Sequence, residues 1–262
     1  MRLATWNVNS IRTRAERVVA WLERSDVDVL AVQETKCRDD QFPYAVFEAA
    51  GYEVVHHGLS QWNGVAVLSR IGLADPLVGL PEVPTWGEPA MAEARAVGAV
   101  CGGVRVWSLY VPNGRALDDP HLAYKLAWLD RLRVLGQGWL AEDPDAQIAL
   151  VGDWNVAPRD EDVWDMAAFD GATHVSPAER AAFAAVVDAG FTDVVRPHTP
   201  GPGVYTYWDY QQLRFPRREG MRIDFVLASP ALATRVSGAG IDRQERKGKG
   251  ASDHAPVIVE LG

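Results

Sequence analysis

The chain has 262 residues, with 26 Lys and Arg against 35 Asp and Glu, a formal charge of −9 with His neutral. Hydrophobic residues make up 48% and charged residues 23%, which excludes a disordered chain, since such a chain could not offset the entropy of ordering. Two cysteines, Cys37 and Cys101, exclude a disulfide-stapled miniprotein and a four-cysteine zinc site; free thiols in a reducing cytoplasm are expected.

Met1 leads directly into a strand-like segment without the apolar core of a signal peptide. No apolar run reaches the roughly 20 residues of a membrane helix, so no membrane partner is expected. Residues 2–8 read as a strand. Residues 14–24 place Ala15, Val18, Val19 and Leu22 on one helical face. An apolar strand from Val27 ends at Glu34. Segments 52–58, 63–70, 93–100 and 103–110 are predicted strands, separated by Gly, Asn and Pro. Residues 120–140 form the longest predicted helix, with Leu122, Leu126, Leu129, Leu132 and Leu135 at helical spacing. Strand 148–151 runs into Gly152-Asp153-Trp154-Asn155. Helices are predicted near 160–168 and over 177–189, the second opening with Ser176 at the N-cap and Pro177 at N1. Strands at 204–208, 223–228, 235–241 and 256–261 close the chain. This pattern predicts a mixed α/β protein of one domain, residues 1–262, with two sheets packed face to face and helices outside. Trp6-Asn7-Val8 and Trp154-Asn155-Val156 each follow a predicted strand and hint at two related halves.

Several strands end in polar residues that an apolar strand does not require: Asn7 and Asn9, Glu34, Tyr110, Asp153 and Asn155, Asp224, and Asp253 with His254. Taken singly, each has an ordinary role as a cap, a turn residue or a half-buried aromatic. Taken jointly, they make a chemical set. A hard divalent cation takes oxygen ligands, and Mg²⁺ uses one or two carboxylates while keeping waters and substrate phosphate. Glu34 with Asp153 or Asp253 supplies them. Phosphodiester hydrolysis benefits from a metal on the phosphoryl oxygens and a base for water. Asp153 suits the base, Asn155 the orientation of water, and Tyr110 a phenolic donor to phosphate. His254, held partly cationic by a carboxylate such as Asp224, suits stabilisation of transition-state charge.

In order along the chain, Thr5-Trp6-Asn7-Val8-Asn9-Ser10, Val32-Gln33-Glu34-Thr35-Lys36, Asn63-Gly64-Val65-Ala66, Tyr110-Val111-Pro112-Asn113-Gly114, Gly152-Asp153-Trp154-Asn155-Val156-Ala157-Pro158, Arg222-Ile223-Asp224-Phe225 and Ser252-Asp253-His254-Ala255-Pro256 resemble the exonuclease III family of apurinic/apyrimidinic endonucleases, within the DNase I-like phosphoesterases. The resemblance covers nearly the whole chain. It implies a four-layered α/β sandwich, two packed mixed β-sheets flanked by helices, with the site at one end. It implies a Mg²⁺-dependent hydrolase, with Mn²⁺ able to substitute, that cuts DNA 5′ to abasic sites and acts at 3′ ends as exonuclease and phosphatase. By that analogy Asn7, Glu34, Asp153, Asn155, Asp253 and His254 surround the metal, and Tyr110, Asp153, Asn155, Asp224 and His254 carry the chemistry.

The implied partner is double-stranded DNA with abasic sites or modified 3′ ends, and the implied state is a monomer. In the aromatic segment Tyr205-Thr206-Tyr207-Trp208-Asp209-Tyr210, either Tyr207 or Trp208 should face an abasic-sugar pocket, where rings admit a flipped sugar and exclude a base. Arg214, Arg217, Arg218 and Arg222 are expected on the DNA backbone, with Asn9, Asn113 and Arg115 also near phosphates and Met221 as an apolar wedge. The net charge of −9 runs against nucleic-acid binding, but the field at one face decides that matter. A phosphoesterase acting on an inositol phosphate or phospholipid would keep the catalytic set with another rim. A non-catalytic DNA-binding module would have no need of it.

Overall fold

A computed structural model describes all of residues 1–262. Its strands, in chain order, are β1 (Arg2–Asn7), β2 (Val29–Gln33), β3 (Glu53–His57), β4 (Val65–Ser69), β5 (Ala74–Val78), β6 (Ala96–Cys101), β7 (Val104–Tyr110), β8 (Ile148–Asp153), β9 (Thr192–Asp193), β10 (Asp224–Ala228), β11 (Val236–Ile241) and β12 (Val257–Leu261). The helices are α1 (Ala15–Ser25), α2 (Tyr44–Ala49), α3 (Pro120–Glu142), α4 (Pro177–Asp188), α5 (Arg214–Arg217) and α6 (Pro230–Ala233). The strands form two six-stranded sheets, ordered β11-β12-β1-β2-β4-β3 and β5-β6-β7-β8-β10-β9. In each sheet a central parallel pair, β1 with β2 or β7 with β8, has two antiparallel strands on either side. The Trp-Asn-Val repeat falls at the ends of β1 and β8, which hold matching places in the two sheets.

Period-2 alternation sorts the strand residues into layers. Leu3, Val29, Ala31, Val97, Val106, Val151 and Val226 face the space between the sheets. Ala4, Trp6, Leu30 and Val32 face α1 and α2, with Val18, Trp21 and Phe47. Leu109, Leu150, Phe225 and Leu227 face α3 and α4, with Trp128, Leu132, Phe183 and Val186. The order helix, sheet, sheet, helix is the four-layered sandwich expected.

Moving along the middle layer toward one end, the alternation replaces apolar side chains by polar ones. Thr5, Gln33 and Ser108 come first, all fully buried, with Gln33 Nε2 donating to Thr5 Oγ1 at 3.0 Å and to Ser108 Oγ at 2.9 Å. Two residues on, the same faces carry Asn7, Tyr110, Asp153 and, on β10, Asp224. Asp153 lies in register with Tyr110 of β7 on one side and Asp224 of β10 on the other. Gly152 makes that placement possible. Its φ is 146°, and a Cβ there would stand 1.9 Å from the Leu109 carbonyl oxygen.

The helix over 160–168 is instead two short 3₁₀ turns, Asp160–Asp162 and Met166–Phe169. Asp162 accepts from the Arg159 backbone N–H and from Arg196, which closes the first turn, and Trp164 N–H pairs with the Gly220 carbonyl. Residues 204–208 do not join a sheet, and Tyr207 makes isolated bridges to Met221 and His254. The buried face of α3 is rotated from the leucine stripe and includes His121, Tyr124, Lys125, Trp128, Leu129, Leu132 and Gly136. Strand β5, exposed along its length and interrupted by Pro76, has no alternation to reveal it. No helix is long and apolar enough to cross a membrane.

Candidate active site at the end of the two sheets

The two sheets meet at Asn7. Its Nδ2 donates to Glu34 Oε1 at 2.8 Å and to Asp153 Oδ2 at 2.9 Å, joining the end of β2 to the end of β8. Asn7 Oδ1 accepts from the Asn9 backbone N–H at 3.0 Å, which fixes the amide orientation. Glu34, Asp153 and His254 offer ligand atoms all within 4.8 Å of one another. Lys36 Nζ lies 2.6 Å from Glu34 Oε2 and also donates to Asn9 Oδ1. Burial raises the proton affinity of Glu34, but the Lys36 ammonium, the Asn7 hydrogen bond and the His254 charge together outweigh it and hold the carboxyl below its ordinary value.

His254 bridges to the second sheet. Its Nδ1 is 2.8 Å from Asp224 Oδ2 and its Nε2 3.7 Å from Asp153 Oδ2. Burial alone would strip the imidazole of its proton, yet the Asp224 and Asp153 carboxylates override that and push its pKa up to about 10. Asp153 moves the other way from an ordinary carboxylate. Burial, then the charges of Asp224 and Glu34, raise it to about 7 against the opposing pull of His254. Tyr110 is raised well above the usual phenol range by burial and by the Glu34 charge, so it remains a donor. The Arg95 guanidinium lies 5.0 Å from the Tyr110 ring centroid.

A second layer holds the loops behind these groups. Lys125, completely buried in α3, donates to the carbonyls of Asn113 at 3.1 Å and Asn155 at 2.6 Å and pairs with Glu179 at 2.5 Å. Glu179 in turn accepts from the His174 backbone N–H at 2.9 Å and from Ser176 Oγ at 2.6 Å. One buried ion pair therefore ties together the segments after β7 and β8 and the segment before α4. Asn9, Glu34, Arg115, Asn155 and His174 all have φ between 44° and 76°. Such backbone costs roughly 1–2 kcal/mol per non-glycine residue and persists where the surroundings over-determine it.

The structure gathers Asn7, Glu34, Tyr110, Asp153, Asp224 and His254 at one end of the sandwich. Asp253 and Asn155 stand outside the three-residue group. Asp253 accepts from Asn9 Nδ2 at 3.1 Å. Asn155 donates to the Val111 carbonyl at 2.9 Å, and its Oδ1 faces Asn113 Nδ2 at 3.3 Å and His174 Nε2 at 3.2 Å. Its backbone N–H, donating to Asp153 Oδ1 at 2.9 Å, is the direct link to the acid.

The DNA-facing residues divide. Tyr207 lies 4.9 Å from the His254 ring and lines a cavity of about 180 Å³ with Trp164, Phe169, Arg214 and Met221. Trp208 points the other way, 1% exposed, into a cluster with Tyr205 and Phe215. Arg222, also 1% exposed, pairs with Asp193 at 2.9 Å and stacks on Phe225, so it is a core cation and not a backbone contact. Met221 is buried in the cavity wall and does not project as a wedge. Arg214 is tied to Glu219 at 2.6 Å and covers Trp164, whereas Arg217, Arg218, Asn113 and Arg115 are exposed.

Two functional residues escaped the sequence reading. His174 is one; nothing in Thr173-His174-Val175 marks it. Lys125 is the other, and it had a signal: it lies on the same helical stripe as Leu122, Leu129 and Leu132, where a solitary lysine needs a buried partner.

The model of the endonuclease/exonuclease/phosphatase family matches residues 4–254. The chain is 31% identical to exodeoxyribonuclease III of Haemophilus influenzae, over all of both proteins. It is similar to the solved 3′-5′ exonuclease of Neisseria meningitidis, at 36% identity and a TM-score of 0.93, covering 100% of this chain and 99% of that one. It is equally similar in extent to an AP endonuclease from Archaeoglobus fulgidus, at 35% identity and a TM-score of 0.92, with 100% and 99% covered. With the family model spanning the site from β1 to His254, the chain belongs to the endonuclease/exonuclease/phosphatase family, in its exonuclease III branch.

Proposed function

We propose that this chain is a Mg²⁺-dependent DNA repair nuclease that hydrolyses phosphodiester bonds 5′ to abasic sites and removes nucleotides or phosphate from 3′ ends. The observation that carries the reading is the Glu34–Asn7–Asp153 bridge with the His254–Asp224 pair against it. The relatives support the substrate: they are an exodeoxyribonuclease, an AP endonuclease, and a 3′ phosphatase from Neisseria bound to a product DNA hairpin.

The donor set suits a hard cation. Glu34 and Asp153 offer carboxylate oxygens within 4.8 Å, and Asp153, raised first by burial and then by the Asp224 and Glu34 charges, is a carboxylate whose ionised form a bound cation would stabilise. Mg²⁺ held by these two residues, or Mn²⁺ in its place, would polarise a phosphoryl oxygen and stabilise its developing charge. His254 plays a different part. As an imidazolium it has no lone pair for a metal, and its Nε2–H donates to a phosphate oxygen. Asp224 fixes that tautomer and charge. Asp153 takes the proton of the attacking water as general base; as the water oxygen bonds to phosphorus the P–O3′ bond breaks, and the leaving oxygen takes a proton from solvent. Tyr110 keeps its phenolic proton and donates a hydrogen bond to the phosphate. Asn155 holds Asp153 through its backbone N–H, keeping one side-chain N–H for water.

The cavity beside His254, walled by Tyr207, Trp164, Phe169 and Met221, receives the abasic sugar and excludes a base. Exposed Arg217, Arg218 and Arg115 contact the DNA backbone. The chain acts as one catalytic unit, because both sheets supply residues to the single site; a monomer working in the cytoplasm is the state that the family resemblance implies.

A gel assay tests this. Abasic duplex, duplex with a recessed 3′ end and 3′-phosphate DNA are each incubated with Mg²⁺ and with EDTA. Cleavage with Mg²⁺, its loss in EDTA and its loss in Asp153→Asn are expected. Metal-independent cleavage, or none of any substrate, would overturn the proposal.

A further inference from the structure

A second cavity, of about 510 Å³, opens beside the catalytic cluster, and none of the catalytic steps proposed for the cluster involves it. Trp62, Asn63, Trp86, Met91, Asn113 and Arg115 line it. Its walls are the loops that carry the site. The Asn63 carbonyl accepts from the Lys36 N–H at 2.9 Å, just after Glu34. Asn113, three residues past Tyr110, donates to Asn155 Oδ1 at 3.3 Å. The cavity therefore adjoins the loops that carry Glu34, Tyr110 and Asn155.

The lining has the chemistry of a stacking platform. Trp62 is 65% exposed and Met91 50% exposed, large apolar groups with nothing of this chain over them. Trp86 is stacked on Tyr124 at 5.3 Å, which fixes its ring plane. The exposed Arg115 guanidinium lies 5.5 Å from the Trp86 ring. Of the two carboxylates in the lining, Glu93 is paired with Arg95 at 2.7 Å and accepts from Asn63 at 2.9 Å, while Glu88 is exposed at the rim. Exposed rings beside an accessible cation suit unpaired nucleobases and their phosphates, since every base has a stacking face. The volume lies in the range of about 300–1,000 Å³ that takes a small ligand, and a duplex is too wide for it.

We infer that this cavity is a subsite for unpaired nucleotides adjoining the scissile phosphate, with Trp62 as the stacking ring and Arg115 on the strand's phosphate. The inference rests on the DNA-nuclease reading of the main site and extends it: the enzyme grips a frayed or single-stranded stretch beside the bond it cuts.

The test uses the full chain in EDTA, so that binding is read apart from cleavage. Oligonucleotides carry 2-aminopurine in a short unpaired extension next to the cleavage position, with a blunt duplex as the control. The wild type is expected to quench the 2-aminopurine on binding. Trp62→Ala should abolish the quenching and weaken binding of the extended DNA by about 5- to 100-fold, as the loss of one stacked base implies. Blunt-duplex affinity and cleavage should be unchanged, and Trp62→Phe should restore most of the loss. Because Trp62 is exposed, neither change threatens the fold. Unquenched 2-aminopurine in the wild type, or an equal loss on blunt and extended DNA, would overturn the subsite. Quenching that depends on Trp62 in a protein that never cuts DNA would instead sink the nuclease reading and leave the subsite standing.

Discussion

His254 Nδ1 lies 2.8 Å from Asp224 Oδ2, and both side chains are buried, so Asp224 decides which nitrogen of the ring meets the catalytic cluster. The same contact, with Asp153 behind it, holds the imidazole cationic up to about pH 10. A pKa raised above the unfolded value gives stability that is full below about 6.5 and is lost as the pH climbs through about 10. Activity should follow the same limb, declining at alkaline pH. Asp224→Asn should move that limb to lower pH and reduce kcat on the order of 10²–10³-fold, the usual loss for a preorganised charge. A kcat–pH profile of both proteins checks this; an unmoved limb would show that His254 does not act as the cation.

Metal binding should depend on pH through Asp153. Its carboxyl is raised to about 7, first by burial and then by the Asp224 and Glu34 charges. In the metal-free protein this contribution to stability is full below about pH 4 and is lost progressively as the pH rises to about 7, above which it stays level. A cation needs the deprotonated form, so affinity should rise with pH up to about 7 and then level off. The Tm difference between Mg²⁺ and EDTA should therefore be larger at pH 8 than at pH 6. Thermal melts at the two pH values measure it.

The Lys125–Glu179 pair should be a large single contribution to stability that only appears when half of it is removed. Both side chains are fully buried. Lys125→Met leaves an uncompensated carboxylate and three catalytic loops without their common anchor, at a cost of about 3–5 kcal/mol. Lys125→Met with Glu179→Gln should recover part of that stability but not kcat, since the carbonyls of Asn113 and Asn155 still lack the ammonium. Urea unfolding with steady-state kinetics on the three proteins separates the effects.

His174 should act on rate through Asn155. Burial, then the nearby Lys125 charge, pulls its pKa down to about 3, so it is a neutral ring at working pH. Its Nε2 is 3.2 Å from Asn155 Oδ1 and 3.3 Å from Asn113 Nδ2. His174→Ala removes one of the three contacts that hold the Asn155 amide, beside those of the Val111 carbonyl and Asn113 Nδ2, and a displacement of about 1 Å at a catalytic group can cost up to about 10²-fold. We expect kcat to fall and KM to change little. The opposite split would assign His174 to substrate binding.

Much of this site was legible because strand ends are conspicuous in sequence. Asn7, Glu34, Tyr110, Asp153 and Asp224 each interrupt an apolar alternation at the position where the middle layer turns polar. Two packed sheets with helices outside were read from the pattern of predicted strands and helices, and the four-layered sandwich is what the family resemblance implied. Direction was harder to read. Tyr207 and Trp208 are adjacent and both aromatic, and only the backbone pairing of Tyr207 with Met221 sends one to the site and the other to the core. Arg222 reads as part of a basic run, yet Asp193 and Asp162, distant in sequence, draw it inside. The role of His174 depends on Glu179 and Asn155, neither of which its neighbours announce.

The central claim is that Glu34 and Asp153 hold one divalent ion in front of His254. Crystals soaked in Mn²⁺ and measured at an anomalous wavelength test it directly. A single strong peak is expected within about 2.3 Å of a carboxylate oxygen of Glu34, with an Asp153 oxygen also turned to it. A peak elsewhere, or none while Glu34 and Asp153 keep their shared bond to Asn7, would contradict it.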